Sequence, residues 1–294
     1  MPVIIALLLL FLGINQYFSA QAAFIVVGFI VVGSIWFILK QVTNEQKWQK
    51  MKGGFVGEAL SEVFADCKYN QGDYISQQTI KNTGLVDNWD TLMGDVRYSG
   101  NDYFRGKYKG IEVEYCDADV TRFWTETETD EEGKSKAREH SEICFKGMWM
   151  ICGLSKPSSA TVSIRKKKDM PLLFGGFANM RVRAKSDVEM ENHAFNEQFQ
   201  ILTDDAHMAF MILTPDYMEH ILSADNKANG RLMLCFSGNR LHIAVHNFRD
   251  SFEFKKGSEL KDITALKQRI QGEIEYITGI LDELFQNKYL FGEG

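Results

Sequence analysis

Hydrophobic and polar residues alternate differently along three stretches of this chain. Val3 to Ile14 and Ala22 to Leu39 are nearly unbroken apolar runs, parted by the polar patch Asn15 to Gln21. As a helix the second run is about 27 Å long at about 1.5 Å per residue, close to the roughly 30 Å of a bilayer's hydrocarbon core. Trp36 falls near its end, where aromatic rings favour the interface. The first run, extended from Pro2 to Gln16, gives a marginal span. Together they predict a transmembrane helical hairpin over 1–40. Residues 41–54 are polar, with Trp48 and Met51, and predict a juxtamembrane helix broken at Gly53-Gly54.

From residue 55 the pattern is that of a soluble α+β domain running to 294, with a sub-boundary near 186–190. Leu60, Val63, Phe64 and Cys67 recur at helical spacing and predict an amphipathic helix over Glu58 to Cys67. Tyr74 to Ile164 reads as strand-rich. Ile111, Val113 and Tyr115 alternate with Glu112, Glu114 and Cys116 after Gly106 and Gly110, which predicts a hairpin. Thr125 to Arg138 has no apolar residue larger than alanine and reads as an exposed loop. Ile143 to Leu154 predicts a buried strand, Ser155 to Ser159 a turn, and Thr161 to Ile164 an edge-like strand. Further on come a strand at Phe199 to Leu202, a helix capped by Asp204 or Asp205, and a second helix restarting at Thr214-Pro215. Leu232 to Phe236 and Arg240 to Val245 suggest a hairpin around Ser237-Gly238-Asn239, with a further strand at Phe252 to Phe254. Ile263, Leu266, Ile270, Ile274, Ile277, Leu281 and Leu284 trace a long amphipathic helix. The expected architecture is antiparallel sheet covered by helices near residues 58, 210 and 270.

Charge changes the meaning of the opening. The formal net charge of the 294 residues is -6, yet the first charged side chain is Lys40. Lys40, Lys47, Lys50 and Lys52 follow the second run and nothing basic precedes it, so the positive-inside rule places the large domain in the cytoplasm. A signal peptide would need a basic leader, which Met1-Pro2 does not supply, although Ser19-Ala20-Gln21-Ala22 resembles a cleavage site. The 5 cysteines, odd in number and without a C-x-x-C pair, fit reduced thiols rather than a disulfide framework or zinc site.

Candidate chemistry is sparse. There is no phosphate-binding loop, nucleophile elbow or His-Glu-x-x-His. His242 and His246 fall on a predicted strand, roughly 13 Å apart at about 3.3 Å per residue, too far to share one metal ion. His207 beside Asp204 and Asp205 reads as part of a helix cap. Asp102, Asp117, Asp119 and Glu142 are scattered through the β-rich half, and their sequence does not establish that they meet. Arg165, Lys166, Lys167 and Lys168 form the densest basic run. With Lys47, Lys50 and Lys52 they are candidates for contact with anionic headgroups. Acidic composition and the lack of an aromatic platform argue against nucleic acid. No catalytic, cofactor or metal residue is assigned.

Gly100-Asn101-Asp102-Tyr103 with Gly106, Phe145-Lys146-Gly147, Glu191 to Phe199, Thr203 to Ala206 and Ile212-Leu213-Thr214-Pro215 together resemble the bacterial membrane family known as domain of unknown function 3137. The likeness runs from about Phe55 to Leu284. It implies two N-terminal membrane helices and brings no activity, substrate or catalytic residue with it. The expectation is therefore a multi-pass protein of the bacterial inner membrane. Its cytoplasmic module would bind a protein partner or the membrane surface, the alternative being an enzyme working through carboxylates on a membrane-proximal substrate.

Overall fold

Tyr108 pairs with Ile111, leaving Lys109 and Gly110 as a two-residue turn in which both φ angles are positive, 50° and 80°. That is the hairpin geometry whose twist matches the flanking strands. It joins β2 (Asp95–Tyr108) to β3 (Ile111–Thr129). The structure, a computed structural model, describes residues 33, 34, 36, 40, 49–86, 89, 94–129, 135–167, 186–253 and 263–292. The chain divides into two units, Met1–Gly54 and Phe55–Gly294.

In the first unit the described residues are helical, and Lys40 lies 5.0 Å from the Trp36 ring. Apart from residues 33, 34 and 36, the expected spans Val3 to Ile14 and Ala22 to Leu39 lie outside the described residues. Among the described residues no helix is long and apolar enough to cross a membrane. Residues 49–63 (α1) are all helical, so Gly53 and Gly54 do not break the helix. Glycine in a helix costs only about 1 kcal/mol against alanine.

The second unit is α+β, built on a seven-stranded sheet in the order β1-β2-β3-β4-β6-β5, with β7 also paired to β4 and every pair antiparallel. Its elements are β1 (Ala65–Asn70), α2 (Gln77–Thr83), β2, β3, β4 (Ser135–Lys166), β5 (Ser186–Asp187), α3 (His193–Gln198), β6 (Phe199–Thr203), α4 (Ala206–Ile212), α5 (Pro215–Ala228), β7 (Arg231–His246), α6 (Ile263–Leu284) and α7 (Lys288–Phe291).

One sheet face carries Cys116, Ala118, Val120, Phe145, Trp149 and Ile151, packed under Ile75, Ile80 and Leu85 around α2. Alternation sends Val113, Tyr115 and Asp117 to the other face. There Tyr217 of α5 meets Phe236, with ring centres 6.4 Å apart, and Phe285 meets Tyr108 at 6.2 Å. Glu283 ties α5 to α6, accepting from Lys227 at 2.7 Å and sitting 2.9 Å from His220 Nδ1. The stripe on α6 packs as its spacing implies: Leu266, Ile270, Ile274, Ile277, Leu281 and Leu284 are buried, while Ile263 at the end is exposed.

Several elements differ from expectation. Cys67 belongs to β1, and Val63 is 40% exposed rather than packed in the core with Leu60 and Phe64. Thr125 to Thr129 and Ser135 to Arg138 are not loop but the far end of the β3–β4 ladder, from Thr125↔Glu139 to Thr129↔Ser135. The alternating threonines favour strand without needing a core. Thr161 to Ile164 is no edge, because Val162 pairs with Thr203 on one side and Phe236 on the other. The two halves of β7 do not pair with each other. Both run along a bent β4, Ile164↔Leu234 and Met150↔Ile243, with Gly238 opposite Ser158 at the bend. Ser251-Phe252 is a turn, and Phe254 lies outside the described residues.

The two expected caps are present. Thr214 accepts from Tyr217 N at 3.3 Å, with Pro215 opening α5. Asp205 accepts from His207 N at 2.9 Å and Met208 N at 3.4 Å. Asp205→Ala is expected to cost about 1 kcal/mol and lower the thermal midpoint by about 2–4 °C, measured by calorimetry.

Candidate functional site

Asp102 occupies an irregularity of β2, between Asn101 and Phe104, where the register against β3 shifts. Its φ is 55° and its N–H donates to Gln71 O at 2.9 Å. A bulge of this kind re-aims a side chain. Here the side chain is fully buried, with Tyr69 OH donating to Oδ1 and Asn101 Nδ2 to Oδ2 at 2.9 Å. Asp117, on the facing strand, is 4% exposed. It accepts from Tyr115 OH at 3.0 Å, from Ser251 N at 3.0 Å and from Ser251 Oγ at 3.3 Å. The turn after β7 brings in Asp250, which accepts from Asn101 Nδ2 at 3.3 Å and is the most accessible of the three.

One oxygen from each of Asp102, Asp117 and Asp250 lies within 4.8 Å of the others. Burial, with the charges of Asp250 and Asp102 adding to it, pushes the Asp117 carboxyl up to about 8, against the hydrogen bonds from Ser251 and Tyr115. An acid held near neutrality can give or take a proton. The mouth of the cluster is a recess of about 190 Å³ bordered by Asp119, Lys146 and Arg249. Lys146 lies 3.2 Å from Asp119, and Arg249 lies 2.6 Å from Glu273. Among the described residues this is where a cation would find carboxylates. A calcium ion takes six to eight oxygens, however, and the neighbouring hydroxyls and the Asn101 amide donate towards the carboxylates instead.

Of the four carboxylates singled out in the sequence, then, Asp102 and Asp117 meet. Asp119 stands at the mouth, and Glu142 is held 2.7 Å from Arg122. Asp250 gave no sign of itself, since it sits in an ordinary polar turn. His242 and His246 are buried on β7 and held down to about 4, chiefly by burial. Both are structural acceptors: His246 Nδ1 takes Lys146 N at 2.9 Å and His242 Nδ1 takes Trp149 Nε1 at 3.4 Å. His207 is exposed in the first turn of α4. All five cysteines are free, with Cys116, Cys152 and Cys235 buried.

The basic candidates are dispersed. Lys166 Nζ lies 2.9 Å from Asp225, whose side chain is 3% exposed. Arg165 is half-buried, Lys167 and Lys50 are exposed, Lys52 is buried, and Lys47 and Lys168 lie outside the described residues.

A second concavity lies between residues 55–63 of α1 and α6. It is a groove of about 290 Å³ with Ile270 and Ile274 at its floor and Ala59 and Val63 on its α1 wall. Glu58, Glu62 and Glu275 line it, and Lys267, the one cation among the described residues of the lining, stands 5.7 Å from the Phe55 ring.

Residues 143–286 match the family model described as "Protein of unknown function (DUF3137)", the family the motifs resemble, over a shorter stretch than those motifs covered. A crystal structure of the mycobacterial trehalose monomycolate transport factor A, TtfA, is similar at a TM-score of 0.37 and 9% identity, over 76% of this chain and 95% of that one. A likeness of that size carries no functional argument. No curated protein matches the chain.

Proposed function

We propose that this chain is a membrane-tethered binding module whose ligand is a protein, the charge-free opening serving as a two-helix anchor in a bacterial inner membrane and the folded part lying on the cytoplasmic side. The observation that supports this reading is the α1–α6 groove. Val63, placed by its spacing on the packing face of α1, is 40% exposed on the wall of that groove instead. Exposed apolar side chains in a rimmed concavity suit partner recognition. The lysines after the second apolar run set the orientation by the positive-inside rule. Headgroup binding is the weaker form of the reading, because the centre of the basic run, Lys166, is already paired with Asp225.

A second reading, an enzyme, is favoured by the convergence of Asp102, Asp117 and Asp250. One experiment separates the two. A photoreactive amino acid placed at Val63 of the full chain in native membranes should yield a discrete protein adduct, and the same residue at exposed Tyr74 should not. Asp117→Asn should leave that adduct and the protein's cellular role intact. No adduct at Val63, with cellular function lost in a folded Asp117→Asn protein, would overturn the module in favour of the enzyme.

A further inference from the structure

We infer that the α1–α6 groove receives a cationic amphipathic helix of a partner protein, an inference that rests on the binding-module reading. The α1 wall supplies the apolar half of the fit: Val63 is 40% exposed, with half-buried Phe55 and Ala59 beside it, above a floor of Ile270 and Ile274 that is already packed, at 1% and 3% exposed. An incoming helix with apolar residues three and four positions apart can lay that stripe against this wall. Lining residues run from Lys267 to Thr278 on α6, about 17 Å at about 1.5 Å per residue, which accommodates roughly three turns of a ligand helix.

The rim supplies the sign. Glu58 and Glu62 are exposed, four residues apart on one face of α1, and Glu275 is exposed on the α6 side. Like charges at this spacing repel in a bare helix, and a cationic ligand between the walls relieves that repulsion. Among the described residues of the lining, three carboxylates face one cation, Lys267, which stands at the Phe55 end of the groove. An acidic helix would meet unfavourable charge along most of its length, and a neutral one would gain nothing from the rim. Lysines or arginines flanking the apolar stripe of the ligand complete the match.

Two labelled probes test this: a 14-residue leucine–lysine amphipathic peptide and its leucine–glutamate counterpart. Each is titrated by fluorescence anisotropy against the full chain in phosphatidylcholine nanodiscs, with empty nanodiscs subtracted. The lysine peptide is expected to bind about tenfold more tightly than the glutamate peptide. That preference should shrink as salt is raised and should reverse in Glu58→Lys/Glu62→Lys. Should the reversed-charge protein fail circular dichroism as folded, Glu58→Gln/Glu62→Gln is expected to remove the preference without reversing it. Equal binding of the two probes, or a preference indifferent to both variants, overturns the inference. If in that case the Val63 adduct still forms, the binding-module reading stands with a different occupant; if it also fails to form, both fall.

Discussion

A chain carrying Gly147→Ala is expected to lose about 3 kcal/mol or more and to be recovered largely unfolded or aggregated. Gly147 holds φ at 150°, which L side chains rarely adopt, and a Cβ there would stand 2.1 Å from Val245 O and 2.8 Å from Asn247 Oδ1. The first of these is backbone of the adjacent strand, so no rotamer change relieves it. The damage also spreads to the carboxylate cluster. Lys146 O, next in sequence, accepts from Asn247 N at 3.2 Å and Phe248 N at 3.0 Å, the bonds that start the turn delivering Asp250 and Ser251. Gly238→Ala is the matched control: φ is 56° but nothing lies within 4 Å, so only about 1 kcal/mol of left-handed strain is expected. Thermal melts of both variants decide the matter. Equal midpoints would show that the strands part easily at Gly147.

Stability of the folded unit is expected to peak between pH 6 and 7, with Asp117 setting the alkaline side. A carboxyl raised to about 8 in the folded chain, against an ordinary 3.8, binds a proton in the native state that the unfolded state has released. Its contribution is therefore full below about 4 and is lost as pH climbs through 8, at up to about 1.4 kcal/mol per unit. His242 and His246 act with the opposite sign. Held down to about 4 from 6.5, they favour the native state above 6.5 and destabilise it as pH falls to 4. Between 4 and 6.5 two histidines outweigh one carboxyl and stability rises with pH. Between 6.5 and 8 the histidines add nothing further, and the loss of the Asp117 contribution makes stability fall. Asp117→Asn, neutral at every pH, should abolish the falling limb and leave the rising one. Urea midpoints measured at half-unit steps from pH 5 to 8.5 test this, and a falling limb that survives Asp117→Asn would assign it to another group.

Legibility in the sequence tracked how local the information is. The α6 stripe, the Asp205 and Thr214 caps and the β2–β3 turn each rest on residues a few positions apart, and each is found where its pattern placed it. Ser237-Gly238-Asn239 carried a genuine local signal for reversal, and Gly238 does adopt positive φ. A bend along a curved neighbour uses the same glycine as a hairpin does, and only the pairing of both halves with β4 distinguishes them. Val63 has the spacing of a core residue, yet whether a neighbour covers that part of α1 depends on where α6 lies, more than two hundred residues further along.

Composition and periodicity were enough to establish that a charge-free stretch precedes Lys40, that the rest alternates as antiparallel strands and amphipathic helices, and that no familiar catalytic motif is present. Such signals act over one or two turns of chain. It took the folded arrangement to bring Asp102, Asp117 and Asp250 together, to tie Lys166 to Asp225, and to open an acidic-rimmed groove beside Val63. The reason is physical: a carboxylate on a strand looks the same whether its pairing turns it to water or to another carboxylate, and register between distant strands is fixed only when the whole sheet closes over its core.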